Sequence, residues 1–216
     1  MEYRCVTTSI AGFVQQLAVA YITHGYWFYV AGEIPEGKDP AAVDAKLIDR
    51  YGIAISKWAR CRRKKQGLAN MQYLRHVRFF LLLATKGRHE FFDRERESFR
   101  DVRRAPINFA GYSIGCRRGL DGRWHASVRI AMTEYAAIKA AFEIAAFRRK
   151  SAGLERGLAD LRYLSFSPVV RQVRDALMPL NRRRRAAGLQ LVQSEAVLRK
   201  RRVSRPFDRE EHESGE

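Results

Sequence analysis

The chain has 216 residues, 46% hydrophobic and 11% aromatic, which is enough to bury a core and too apolar for a wholly disordered basic protein. Its 41 Lys and Arg against 23 Asp and Glu leave a formal net charge of +18, which points to a polyanionic partner. No run approaches the roughly 18 uncharged apolar residues of a membrane span, the segment from Met1 to Ser9 lacks the pattern of a secretory leader, and Cys5, Cys61 and Cys116 are too far apart to form a CxxC metal or disulfide pair. The expectation is a cytoplasmic protein with no membrane partner.

In chain order, Tyr3 to Thr8 reads as a short strand. Ser9 then caps a helix whose apolar residues Ile10, Phe13, Val14, Leu17 and Tyr21 recur at helical spacing, and Gly25 ends it. Tyr26 to Glu33 is aromatic and β-prone, a buried strand. Pro35 to Lys38 is a turn; Asp39 caps the next helix with Pro40 at its first position, and that helix runs to about Tyr51. Ile53 to Lys65 suits a helix with a solvated cationic side, closed by Gly67, with Trp58 expected to turn toward the core. Met71 to Thr85 reads as strand, changing pattern near His76 to Arg78, and Arg88 to Asp93 is its expected hairpin partner after Lys86-Gly87. Asp93 to Arg104 is a charged connector. Pro106 to Arg117 and Trp124 to Ile130 form a second hairpin across an Asp-Gly turn.

From Thr133 the pattern becomes helical: Thr133 to Lys150, Leu154 to Leu164, a third helix from Ser167-Pro168 kinked at Pro179, and a last one over Gln193 to Arg202. The fold class expected is therefore α+β. A mixed or antiparallel sheet with packed helices occupies residues 1–131, a basic helical region follows over 132–205, and 206–216 is a disordered acidic tail.

The charge is unevenly placed. Residues 1–50 carry four Lys and Arg against six Asp and Glu, and the rest of the chain carries 37 against 17. Three runs hold much of the excess. The first contains Lys57, Arg60, Arg62, Arg63, Lys64 and Lys65 around Trp58. The second is Arg182, Arg183, Arg184 and Arg185, and the third is Arg199, Lys200, Arg201 and Arg202. Lysine and arginine beside an aromatic suit phosphate contact with base stacking. Four successive arginines cannot share one salt-bridge network, and guanidinium forks fit phosphate oxygens.

Strand alternation over 73–78 places Tyr73 and Arg75 with Val77 on one face, and Leu74 and His76 with Arg78 on the other. Such residues suit a platform for unstacked bases. They also supply the catalytic candidates Tyr73, His76 and His89, since tyrosine can attack a phosphodiester and histidine can move protons. The HxH pair of metal-dependent nickases is absent, no carboxylates cluster by spacing, and Gly111 to Gly115 is no phosphate-binding signature. No metal and no cofactor are expected.

The favoured reading is a nucleic-acid-binding protein, of RNA or single-stranded DNA before duplex, working alone or with protein subunits of a nucleoprotein complex. A nuclease or strand-transfer enzyme using the 73–89 segment is the second reading. A protein-assembly subunit with a basic interface is the third.

Overall fold

The computed structural model describes residues 3–146, 163–193, 198–199 and 205–207. The protein is α+β, with mixed and antiparallel sheets and packed helices. The chain divides into two compact units: Met1–Ile107, Ile114–Ala126 and Ser204–Glu216 form the first, and Asn108–Ser113 with Ser127–Val203 form the second.

The first unit opens with β1 (Val6–Thr7) and a helix, α1 (Ile10–Gln15), capped by the Ser9 hydroxyl accepting from the Gly12 N–H. The helix widens to a π turn over Gln16–Tyr21 and tightens to a 3-10 turn over Ile22–His24, where Gly25 ends it at φ 91°. There follow β2 (Tyr26–Glu33), α2 (Pro40–Arg50), α3 (Lys57–Lys65), β3 (Met71–His76), β4 (Phe79–Thr85), a one-turn α4 (Phe91–Arg94) and β5 (Arg100–Asp101). The five strands are ordered β1-β3-β4-β2-β5, parallel between β1 and β3 and antiparallel elsewhere.

Both faces of this sheet are covered, and strand alternation decides which residue meets which layer. Phe13 of α1 stacks edge-on against Phe79 at 5.8 Å and lies beside the His76 ring at 6.3 Å. Met71, Tyr73, Leu82 and Ala84 join Tyr51, Ile53 and Phe91 in a buried cluster, with Leu47 and Ile48 of α2 packed against it. Phe92 stands edge-to-face with both Phe91, at 5.3 Å, and Phe99, at 5.4 Å. Such aromatic pairs add about 0.5–1.5 kcal/mol each beyond their burial.

The hairpin expected between 71–85 and 88–93 is corrected: β3 pairs with β4, His76 opposite Phe79, and residues 91–94 are helical. The connection Val77-Arg78 carries no turn signature, and Val77 sits at φ 53°, unfavourable for a β-branched residue. One local contact and four distant in sequence hold it. The Arg75 guanidinium donates to the Val77 carbonyl, the Ile34 N–H donates to the Arg78 carbonyl, and Arg78 donates to the carbonyls of Pro35, Glu36 and Lys38.

A second sheet orders β6 (Ile107–Phe109), β7 (Tyr112–Arg118) and β8 (Trp124–Ile130), and the division between units falls within these strands. The expected 106–117 strand is broken at Ala110 and Gly111, both left-handed, which turn the chain from β6 into β7. In the second unit a Cβ on Gly111 would lie 2.8 Å from the Tyr163 hydroxyl, so close approach requires glycine there as well.

That unit adds α5 (Met132–Ala145), β9 (Tyr163–Leu164), α6 (Ser167–Ala186) and β10 (Leu198–Arg199), the last parallel to β9. Ile138, Phe142, Val169, Val173, Ala176, Leu177 and Leu180 are buried. Gln172 exchanges two hydrogen bonds with the backbone of Ile130, and Asn181 does the same with Val192. The third helix expected from Ser167 runs through Pro179 to Ala186. Of the helix expected over 154–164, Tyr163 and Leu164 are strand and the rest lies outside the described residues; the same holds of 193–202, where only the strand β10 and Gln193 are described. The disordered tail expected over 206–216 is corrected at its start, where the Pro206 carbonyl accepts from the Thr8 N–H at 3.1 Å, and the residues beyond Phe207 lie outside the described residues.

Candidate nucleic-acid interface

Helix α3, KWARCRRKK, has no buried residue. The Ser56 hydroxyl starts it by accepting from the Ala59 N–H at 3.2 Å, and its basic last turn faces the negative end of the helix dipole. Two arginines fasten it. Arg60 donates to the Ile53 carbonyl at 3.2 Å and accepts, through its own carbonyl, from the Asn70 side chain at 3.0 Å. Arg63 donates twice to the Ala69 carbonyl, at 3.0 and 3.2 Å. Both are therefore structural first, although expected as phosphate contacts.

With Arg60 and Arg63 turned inward, about 100° per residue carries Trp58 to the outer side. Trp58 is 79% exposed, which corrects the expectation that it turns to the core. Cys61, Arg62 and Lys65 follow it at helical spacing, all exposed, with Lys57 and Lys64 exposed beside them. The face thus combines an open indole with exposed cations.

Residues distant in sequence extend it. The Arg88 N–H donates to the Gly67 carbonyl at 3.0 Å, and the Ala69 N–H to the Arg88 carbonyl at 3.1 Å. This brings exposed Lys86 and Arg88 to the C-terminal end of α3. Gly87 makes the approach possible: at φ 145°, a Cβ there would lie 2.5 Å from the Ala69 nitrogen. Sequence reasoning missed Lys86 and Arg88, because nothing local marks a bridge between Leu68 and Arg88.

The 73–78 platform is corrected. Tyr73 is fully buried and donates to Asp44 at 2.6 Å, and Arg75 is buried against the same carboxylate. Burial, and then the Asp44 carboxylate, push the Tyr73 phenol above its ordinary value. A phenol so placed is neither a base-stacking surface nor a reachable nucleophile. Arg78 is committed to the 35–38 turn. His76 is half-buried, its Nδ1 3.1 Å from both the hydroxyl and the carbonyl of Thr7. His89 Nδ1 accepts from the Phe91 N–H at 3.0 Å. Burial, and then Arg63, lower its pKa below the usual imidazole value, so the neutral ring is favoured.

In the second unit the four-arginine run is split by the helix. Arg182, Arg183 and Arg185 are exposed, while Arg184 is fully buried and donates to the Gln190 carbonyl. Arg184 holds the chain after α6 in place, which corrects its expected role in gripping a backbone. Arg199 lies in β10; Lys200, Arg201 and Arg202 lie outside the described residues. Among the described residues no three His, Cys, Asp or Glu converge as a metal site, and no helix is long and apolar enough to cross a membrane. No protein-family model, no curated protein and no solved structure matches this chain.

Proposed function

We propose that the protein binds nucleic acid through α3, with Lys57, Arg62, Lys64 and Lys65 on phosphates and Trp58 stacked on an unpaired base. One observation carries the reading: Trp58 is 79% exposed on a helix with no fully buried residue. A large indole left in water amid like charges costs apolar hydration and self-repulsion, and a stacked base beside phosphates relieves both. An open aromatic favours RNA or single-stranded DNA over duplex, where base faces are already covered. None of the three cysteines is held in a disulfide, which suits a reducing cytoplasm. The exposed Arg182, Arg183 and Arg185 of the second unit supply further phosphate contacts.

The test is binding of a labelled single-stranded oligonucleotide to wild type and to Trp58→Ala, across salt. Affinity should fall steeply with salt, and Trp58→Ala should weaken it about fivefold or more, as the loss of one base stack does. Binding that ignores both salt and the substitution would overturn the proposal.

A further inference from the structure

A second aromatic–cation cluster lies in the first unit. The Arg103 guanidinium sits 4.4 Å from the Trp27 ring centroid and 5.7 Å from that of Trp124. Asp101 holds it from the side, with Nε 2.9 Å from Oδ1 and Nη2 2.6 Å from Oδ2. Both indoles are half-buried, and the Arg103 side chain keeps 25% of its surface in water. Asp101 engages Nε and Nη2, which leaves Nη1 as a donor for a phosphate. An arginine fixed in this way loses little freedom when it binds.

Strand register places this cluster at one end of the five-stranded sheet. Tyr26, the first residue of β2, pairs with Thr85, the last of β4, and Met71, the first of β3, pairs with Ala84. The Val102 N–H, just past β5, donates to the Trp27 carbonyl at 2.8 Å. The exit of α3, the Lys86–Arg88 turn, Trp27 and Arg103 therefore all leave the sheet at the same end. From β3 across β4 and β2 to β5 is three strand spacings, about 15 Å.

We infer that this end of the sheet is a single track for a single-stranded segment, running from Trp58 over Lys86 and Arg88 to a second base-and-phosphate contact at Trp27, Arg103 and Trp124. The inference rests on the nucleic-acid reading of α3 and extends it to residues no charge run marks. Its occupant is argued from complementarity: cations alternate with indoles along the track, as phosphates alternate with bases along an unpaired strand.

The experiment uses the full chain carrying Trp58→Phe, in which Trp27 and Trp124 are the remaining tryptophans of three. A labelled single-stranded oligonucleotide is followed by its own anisotropy and by tryptophan emission in one titration. Binding should quench the emission, and adding Trp124→Ala should weaken binding about fivefold or more. Binding with unchanged emission would overturn the track and leave the α3 reading standing. No binding to wild type by anisotropy would overturn both. Equal quenching by duplex would overturn the single-strand assignment.

Discussion

Arg75 and Asp44 meet inside the protein through three hydrogen bonds of 2.7 to 2.9 Å, joining β3 to the middle of α2. Tyr73 donates to the same carboxylate, so one acidic side chain satisfies two strand residues at once. The pair takes an arginine out of solvent and secures the layer between the sheet and α2.

Breaking that pair should be strongly destabilising. Asp44→Ala leaves the Arg75 charge buried without its carboxylate, and truncations of this kind destabilise by about 3–5 kcal/mol. Urea unfolding should show a lowered midpoint. A midpoint within error of wild type would mean that Arg75 finds water or another partner.

The outer cations of α3 should behave oppositely. Replacing Lys57, Arg62, Lys64 and Lys65 with Gln touches only exposed side chains, so stability should change by no more than about 0.5 kcal/mol per site. The slope of log affinity against log salt should flatten by about 3, since each phosphate neutralised on a single strand contributes about 0.7. Binding isotherms at several salt concentrations measure it.

Within the arginine run of α6 the same substitution should give two results. Arg184→Gln should lower the unfolding midpoint, because a buried side chain that holds the Gln190 carbonyl is replaced. Arg182→Gln, Arg183→Gln and Arg185→Gln together should leave the midpoint unchanged and weaken oligonucleotide binding. Equal thermal stability of the two proteins would contradict the split.

Stability should also carry an acid-sensitive component from His89. Burial, and then Arg63, lower its folded pKa, so the folded state resists protonation more than the unfolded chain. Above the unfolded value of about 6.5 the ring is neutral in both states and contributes nothing to the pH dependence. As pH falls from there through the lowered folded pKa, stability is lost. His89→Asn keeps an acceptor for the Phe91 N–H but cannot charge. Between pH 7.5 and 5 it should lose less stability than wild type in urea unfolding; parallel curves would refute the assignment.

Features under local chemical control were legible in the sequence. Ser9, Gly25, Asp39 and Pro40 mark helix ends by capping and backbone rules, and all four act where expected. The strand Tyr26–Glu33 was readable from its aromatic run, and the α+β class followed from periodicity. Alternation puts Tyr73 and Arg75 on one face and Leu74 and His76 on the other, and it ends there, because Val77 and Arg78 form the turn rather than extending the strand.

Whether those faces meet water is settled by long-range packing. Charge alone does not say whether an arginine is solvated or bound to a carbonyl, because a guanidinium can do either. Arg60, Arg63, Arg75, Arg78 and Arg184 are committed to partners that local pattern does not reveal. The turn at Val77 is likewise held from outside, by Arg78 on the carbonyls of the 35–38 loop and by the Ile34 N–H on the Arg78 carbonyl. Trp58 is exposed because two inward arginines set the rotation of α3. The grouping of Lys86, Arg88, Trp27 and Arg103 at one sheet end is a matter of strand register, which long-range pairing sets and no short window of residues contains.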